Sequence, residues 1–132
     1  MGKIKSTLKK ILVIDDEGDL LELTRTRLEV SGYKVLTLDS GARALEVAKC
    51  EKPDLILLDV VMPGKNGCDV CRDLKADAAT RGIPVIIFTA RYPEEEYLKI
   101  GFREVGADDY VLKPFDAQAL LAKIKFLTHQ NS

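Results

Sequence analysis

Two short runs, Leu55-Ile56-Leu57-Leu58 and Val85-Ile86-Ile87-Phe88, are apolar at every residue and lie between longer segments of helical periodicity. A strand with one face in water alternates apolar and polar residues; a strand covered on both faces does not need to. Such runs between helices predict a parallel sheet with helices packed on both sides. Ile11-Leu12-Val13-Ile14 is a third run of the same kind. It leads into a helix over about Asp19 to Val30, with Leu20, Leu21, Thr24 and Leu28 on one face and a stop at Ser31-Gly32.

The rest of the chain repeats this unit. Tyr33 to Leu38 is a weaker, partly alternating strand, and Ser40-Gly41 opens a helix that carries Ala44, Leu45 and Ala48 inward until Pro53 stops it. Leu55 to Leu58 is the candidate central strand. A loop with Met62-Pro63-Gly64 and Asn66-Gly67 leads to a helix near Cys68 to Lys75, and Gly82 and Pro84 introduce the fourth strand. Pro93 suits the first turn of a fourth helix, with Glu94, Glu95 and Glu96 at its positive end and Gly106 closing it. Tyr110-Val111-Leu112 is the last strand, followed by a fifth helix from Asp116, its N-cap, through Leu120, Leu121, Ile124 and Leu127. The expected fold is one (βα)₅ unit over residues 10–127, with a lead-in at 1–9 and a tail at 128–132 that frays from His129 onward.

A chain of 132 residues holds one such domain. Its 20 basic and 21 acidic residues nearly cancel, which argues against the broad positive field of nonspecific nucleic-acid binding. No direct nucleic-acid contact by this chain is expected, and Lys3, Lys5, Lys9 and Lys10 read as a solvated approach to the first strand. The apolar runs fall far short of the roughly 20 residues that cross a bilayer, so no membrane contact is expected either. Three cysteines, Cys50, Cys68 and Cys71, cannot all pair, and no apolar leader precedes them, so the expected compartment is the cytoplasm.

In an open parallel sheet, ligands bind beyond the carboxyl ends of the strands. The residues there are Asp15-Asp16-Glu17 after strand 1, Asp59 after strand 3, Thr89-Ala90 after strand 4 and Lys113-Pro114 after strand 5. If strands 1 and 3 are neighbours, three carboxylates converge and repel unless something neutralises them. Mg²⁺ is the simplest answer, since it prefers one or two carboxylates with phosphate oxygens and water. Lys113 and Thr89 add a positive charge and a hydroxyl donor, groups that stabilise a transferring phosphoryl group, and Asp59 is left as the nucleophile. Taken singly, each residue also suits a cap or a turn; the joint pattern carries the reading.

The motifs Ile14-Asp15-Asp16-Glu17, Leu58-Asp59-Val60-Val61-Met62-Pro63-Gly64, Phe88-Thr89-Ala90 and Gly106-Ala107-Asp108-Asp109-Tyr110-Val111-Leu112-Lys113-Pro114-Phe115 closely resemble those of receiver domains of two-component response regulators. The resemblance runs from about Lys10 to Leu127. It implies a flavodoxin-like strand order 2-1-3-4-5 and a phosphoryl group accepted on Asp59 from a sensor histidine kinase or a histidine phosphotransfer protein. It also implies Mg²⁺ held by Asp16 directly, by Asp15 largely through water, by Asp59 and by the carbonyl of Val61. Thr89 and Lys113 would contact the phosphoryl group. Tyr110 would swing inward as Thr89 moves and change the face made by helix 4, strand 5 and helix 5, with a cis bond at Lys113-Pro114 aiming the lysine. Such a domain is a switch for a downstream protein target, not a turnover enzyme, with phosphorylation-dependent dimerisation left open. Apolar Val61 and shielding Arg91, flanking the site, suggest a long-lived phosphoryl group.

Three other readings compete. A hydrolase of the haloacid dehalogenase type would carry its nucleophile on strand 1 in an Asp-x-Asp arrangement. A flavin module would need hydroxyls and amides where Asp15-Asp16-Glu17 stands. A receiver fold kept only for protein binding would not need the complete set of site residues. Cys68-Asp69-Val70-Cys71 has redox or zinc spacing but no second pair, and the single histidine, His129, lies near the C-terminus, so the two cysteines read as neighbours on one helix face, at least one of them packing against the sheet.

Overall fold

The computed structural model describes residues 9–60, 67–89, 106–112 and 116–129. The strands are β1 (Lys10–Ile14), β2 (Lys34–Leu38), β3 (Leu55–Asp59), β4 (Val85–Thr89) and β5 (Asp109–Leu112). They form one parallel sheet in the order β2-β1-β3-β4-β5. The described helices are α1 (Gly18–Val30), α2 (Ala44–Glu51), α3 (Gly67–Ala76) and α4 (Ala117–His129). The helix expected from Pro93 onward lies outside the described residues, so α4 is the fifth helix of the sequence pattern.

The fully apolar runs work because alternate residues serve opposite faces of the sheet. Leu12, Ile14, Ile56, Leu58, Val85 and Ile87 point to one side, where α2 and α3 cover them with Ala44, Ala48, Val70, Cys71 and Leu74. Ile11, Val13, Leu55, Leu57, Ile86 and Phe88 point to the other, against Leu21 and Leu28 of α1 and Leu120 and Ile124 of α4. Each large aliphatic or aromatic side chain buried in this way contributes about 1.5–3 kcal/mol relative to exposure. All five residues of β3 are buried, as its central place requires.

Local chemistry sets the element ends. α1 ends as Ser31 and Gly32 N–H groups donate to the Arg27 and Glu29 carbonyls, with Gly32 at φ +99°. That left-handed backbone is one that glycine adopts without a Cβ penalty. The second helix begins at Ala44, later than Ser40-Gly41 suggests. The Ser40 hydroxyl accepts the Ala42 N–H at 3.3 Å and the Gly41 carbonyl accepts the Ala44 N–H at 3.1 Å, closing a turn before the helix starts. Pro53 disfavours the helical conformation at Lys52, which instead takes φ 49° and donates its N–H to the Ala48 carbonyl. The Asp116 carboxylate accepts the Gln118 N–H at 3.1 Å, the capping bond expected at the start of the last helix. No helix among the described residues is long and apolar enough to cross a membrane.

Candidate metal and phosphoacceptor site

The register places β1 directly beside β3, with Ile14 opposite Leu58. The next residue on each strand is an aspartate, so Asp15 and Asp59 emerge side by side at the carboxyl edge of the sheet. Asp16 joins them, and one carboxylate oxygen from each of the three lies within 4.8 Å of the others. Asp15 and Asp59 are buried and Asp16 is exposed. Two full negative charges at that range repel by about 3 kcal/mol or more at an effective dielectric near 20. Carboxylate oxygens are hard ligands, and a small cluster with one open side fits a hard divalent cation that keeps some of its water.

The backbone around the cluster is tightly held. The Asp15 N–H donates to the Leu38 carbonyl at 3.1 Å, and an Asp15 carboxylate oxygen accepts the Glu17 N–H at 3.0 Å. Asp15 therefore also satisfies an amide at the entry to α1. Asp59, the last residue of β3, is in register with Phe88, and the Val60 N–H donates to the Phe88 carbonyl at 3.2 Å. The Gly67 N–H at the start of α3 donates to the Val60 carbonyl at 2.9 Å. A Cβ on Gly67 would collide with the Asp59 carbonyl oxygen and come within 2.6 Å of the Val60 Cα. The helix can approach the end of β3 this closely only because residue 67 is glycine.

The other expected site residues divide into two groups. Thr89 ends β4, its backbone in register with Leu112, and Tyr110 lies opposite Ile87 in β5, half-buried against the α2–α3 side of the core. Val61, Arg91 and Lys113, the Lys113-Pro114 bond and the side chain of Thr89 lie outside the described residues. Two structural roles escape a reading by motif. Gly67 looks like part of an Asn66-Gly67 turn, and its close approach to β3 shows only once α3 is in place. Asp15 reads as a metal ligand, and its bond to the Glu17 amide depends on where α1 begins.

Cys68 and Cys71 are packing residues, whereas Cys50 is exposed. Cys71 is fully buried, and burial pushes its thiol up to about 12; Cys68 packs against the same core, and burial raises its thiol as well. Both stay protonated near neutral pH, and no metal-ligating group among the described residues includes a cysteine.

The response regulator receiver domain family matches residues 11–125. The chain belongs to this family. The alkaline phosphatase synthesis transcriptional regulatory protein PhoP of Bacillus subtilis is 42% identical over 93% of the chain and 50% of its own length. The DNA-binding response regulator MtrA of Mycobacterium tuberculosis (H37Rv) is 37% identical over 93% of the chain and 52% of its own length. A putative response regulator from Chloroflexus aurantiacus superposes with a TM-score of 0.85 at 30% identity, covering 92% of this chain and 98% of that one. This receiver chain thus spans about half the length of the regulators PhoP and MtrA. Receiver domains are signalling switches of two-component systems.

The comparison corrects one expectation. The absence of nucleic acid from the partners rests on the balanced charge of these 132 residues, yet the relatives carry the names of transcriptional and DNA-binding regulators. Charge balance describes the receiver segment, which makes up only about half of those proteins. It is no guide to whether the regulator as a whole engages DNA.

Proposed function

We propose that this receiver accepts a phosphoryl group on Asp59 from a phosphohistidine donor and switches an effector between two states. The convergence of Asp15, Asp16 and a buried Asp59 at the carboxyl edge of the sheet carries this reading. In the transfer, the P–N bond to the donor imidazole breaks as a P–O bond to an Asp59 carboxylate oxygen forms, and the imidazole nitrogen keeps the electron pair. Mg²⁺, when bound, would neutralise charge on the transferring oxygens and on the carboxylates around it. Asp15 and Asp16 fit the role of its holders, with the Val61 carbonyl as a further ligand.

Asp59 sits at the end of a fully buried central strand, so the nucleophile is pre-positioned by the packing of the sheet. Thr89 and Lys113 would bind the new phosphoryl oxygens, and Tyr110 would move with Thr89 to alter the surface made by the expected fourth helix, β5 and α4. The modification adds roughly −1.5 to −2 charges and three acceptor oxygens at one point, enough to bias a two-state element. Control of transcription is the output that the relatives' names support.

The position of Asp59 favours this reading over a haloacid dehalogenase-type hydrolase. The nucleophile lies on the central strand β3, while the end of β1 supplies the metal carboxylates. Treatment with acetyl phosphate and Mg²⁺ followed by borohydride trapping should mark the peptide that carries Asp59. Marking at Asp15 or Asp16 would assign the nucleophile to β1 and defeat the proposal.

A further inference from the structure

We propose that α3 is a strut that couples the phosphoacceptor backbone to the start of β5, a second route from Asp59 to the switch strand; the inference rests on phosphorylation at Asp59. At its amino end, α3 meets β3 without slack: Gly67 donates to the Val60 carbonyl, and there is no room for a Cβ beside Asp59. At its carboxyl end, the Lys75 ammonium donates to the Arg81 carbonyl at 3.2 Å, the Ile83 carbonyl at 2.8 Å and Asp108 Oδ2 at 3.0 Å. An ammonium has three N–H donors, and all three are used.

Asp108 in turn ties the junction to the sheet. Its Oδ2 also accepts the Val85 N–H at 2.8 Å, and its own N–H donates to the Val85 carbonyl at 2.8 Å. Gly106, two residues before Asp108 and at φ +85°, lies so close to the Lys75 stem that a Cβ there would sit 3.3 Å from Lys75 Cγ. Between its two ends, α3 is clamped by Val70, Cys71 and Leu74 in the core. A helix of 10 residues is about 15 Å long and transmits displacement as a unit. A shift of the Asp59-Val60 backbone therefore reaches Asp108, two residues before Tyr110, without passing through Thr89.

The test follows backbone amide resonances of the whole chain before and after acetyl phosphate and Mg²⁺, with intact mass read on the same sample. Wild type should gain a phosphoryl group and show shifts at both Val60 and Asp108. In Lys75→Met the shift at Val60 should persist while that at Asp108 falls at least about twofold, because only the far end of the strut is cut. Lys75→Gln, which keeps much of the stem beside Gly106 but lacks the ammonium that joins Asp108 to the Arg81 and Ile83 carbonyls, should weaken the Asp108 response in the same direction and carries the test if Lys75→Met does not fold. A wild-type protein that gains mass while Asp108 stays silent, or variants that keep the full Asp108 response, would overturn the strut and leave the phosphoacceptor intact. No mass gain in wild type would instead remove the proposed function, and the strut with it.

Discussion

At the scale of single residues, the three carboxylates carry different loads. Asp15 is buried and holds the Glu17 amide as well as joining the carboxylate cluster proposed to hold a metal, whereas Asp16 is exposed and has only the second task. Mg²⁺ at about a hundred times its dissociation constant should stabilise the native protein by about 2.7 kcal/mol. Asp16→Ala should abolish most of that gain in a thermal melt and leave the metal-free stability unchanged or slightly higher, since one repelling charge is gone. In EDTA, Asp15→Ala should be about 1 kcal/mol less stable than Asp15→Asn, because the amide of asparagine can still accept the Glu17 N–H. Equal stability of the two variants would show that this bond contributes nothing. The aspartates were legible by type and spacing, because acids after two neighbouring buried strands have few other places to go. The second role of Asp15 was not, since it depends on the residue at which α1 starts.

At the scale of elements, α3 is held at both ends, by Gly67 against β3 and by Lys75 against Asp108. Gly67→Ala should cost about 1–3 kcal/mol in denaturant unfolding, as the entry to α3 backs away from Asp59 and Val60. It should also slow phosphoryl acceptance, because the end of β3 moves with it; an unchanged acceptance rate would separate the glycine from the site. Cys71 makes a pH prediction on the same helix. Its folded thiol is raised to about 12 from an ordinary value of 9.0, so only the unfolded chain ionises between those values. The resulting stability is complete below pH 9 and is lost as pH rises toward 12. Melting temperatures should fall over that window more steeply in wild type than in Cys71→Ala, and parallel curves would contradict the assignment. The strands were readable in advance because runs without alternation have one reading between helices. The late start of α2 was not, because Ser40 closes a local turn that competes with helix on nearly equal terms. The Lys75–Asp108 junction links residues 33 apart in the chain, and no local pattern announces such a pair.

At the scale of the whole molecule, the sheet order explains why chemistry gathers where it does. Placing β1 beside β3 brings the acids of two strands within 4.8 Å of one another, and the parallel direction puts every strand's carboxyl end on the same edge. Composition was a poor guide to partners, since a neutral receiver can serve a regulator whose other half engages DNA. The central claim is that this edge accepts a phosphoryl group on Asp59 with the help of a divalent cation. Intact-protein mass after acetyl phosphate and Mg²⁺, with an Asp59→Asn variant and an EDTA control alongside, tests it directly. The account predicts a gain of one phosphoryl group in wild type alone, lost in the variant and in EDTA. A folded wild-type protein that gains no mass, or an Asp59→Asn variant that gains as much, would contradict it.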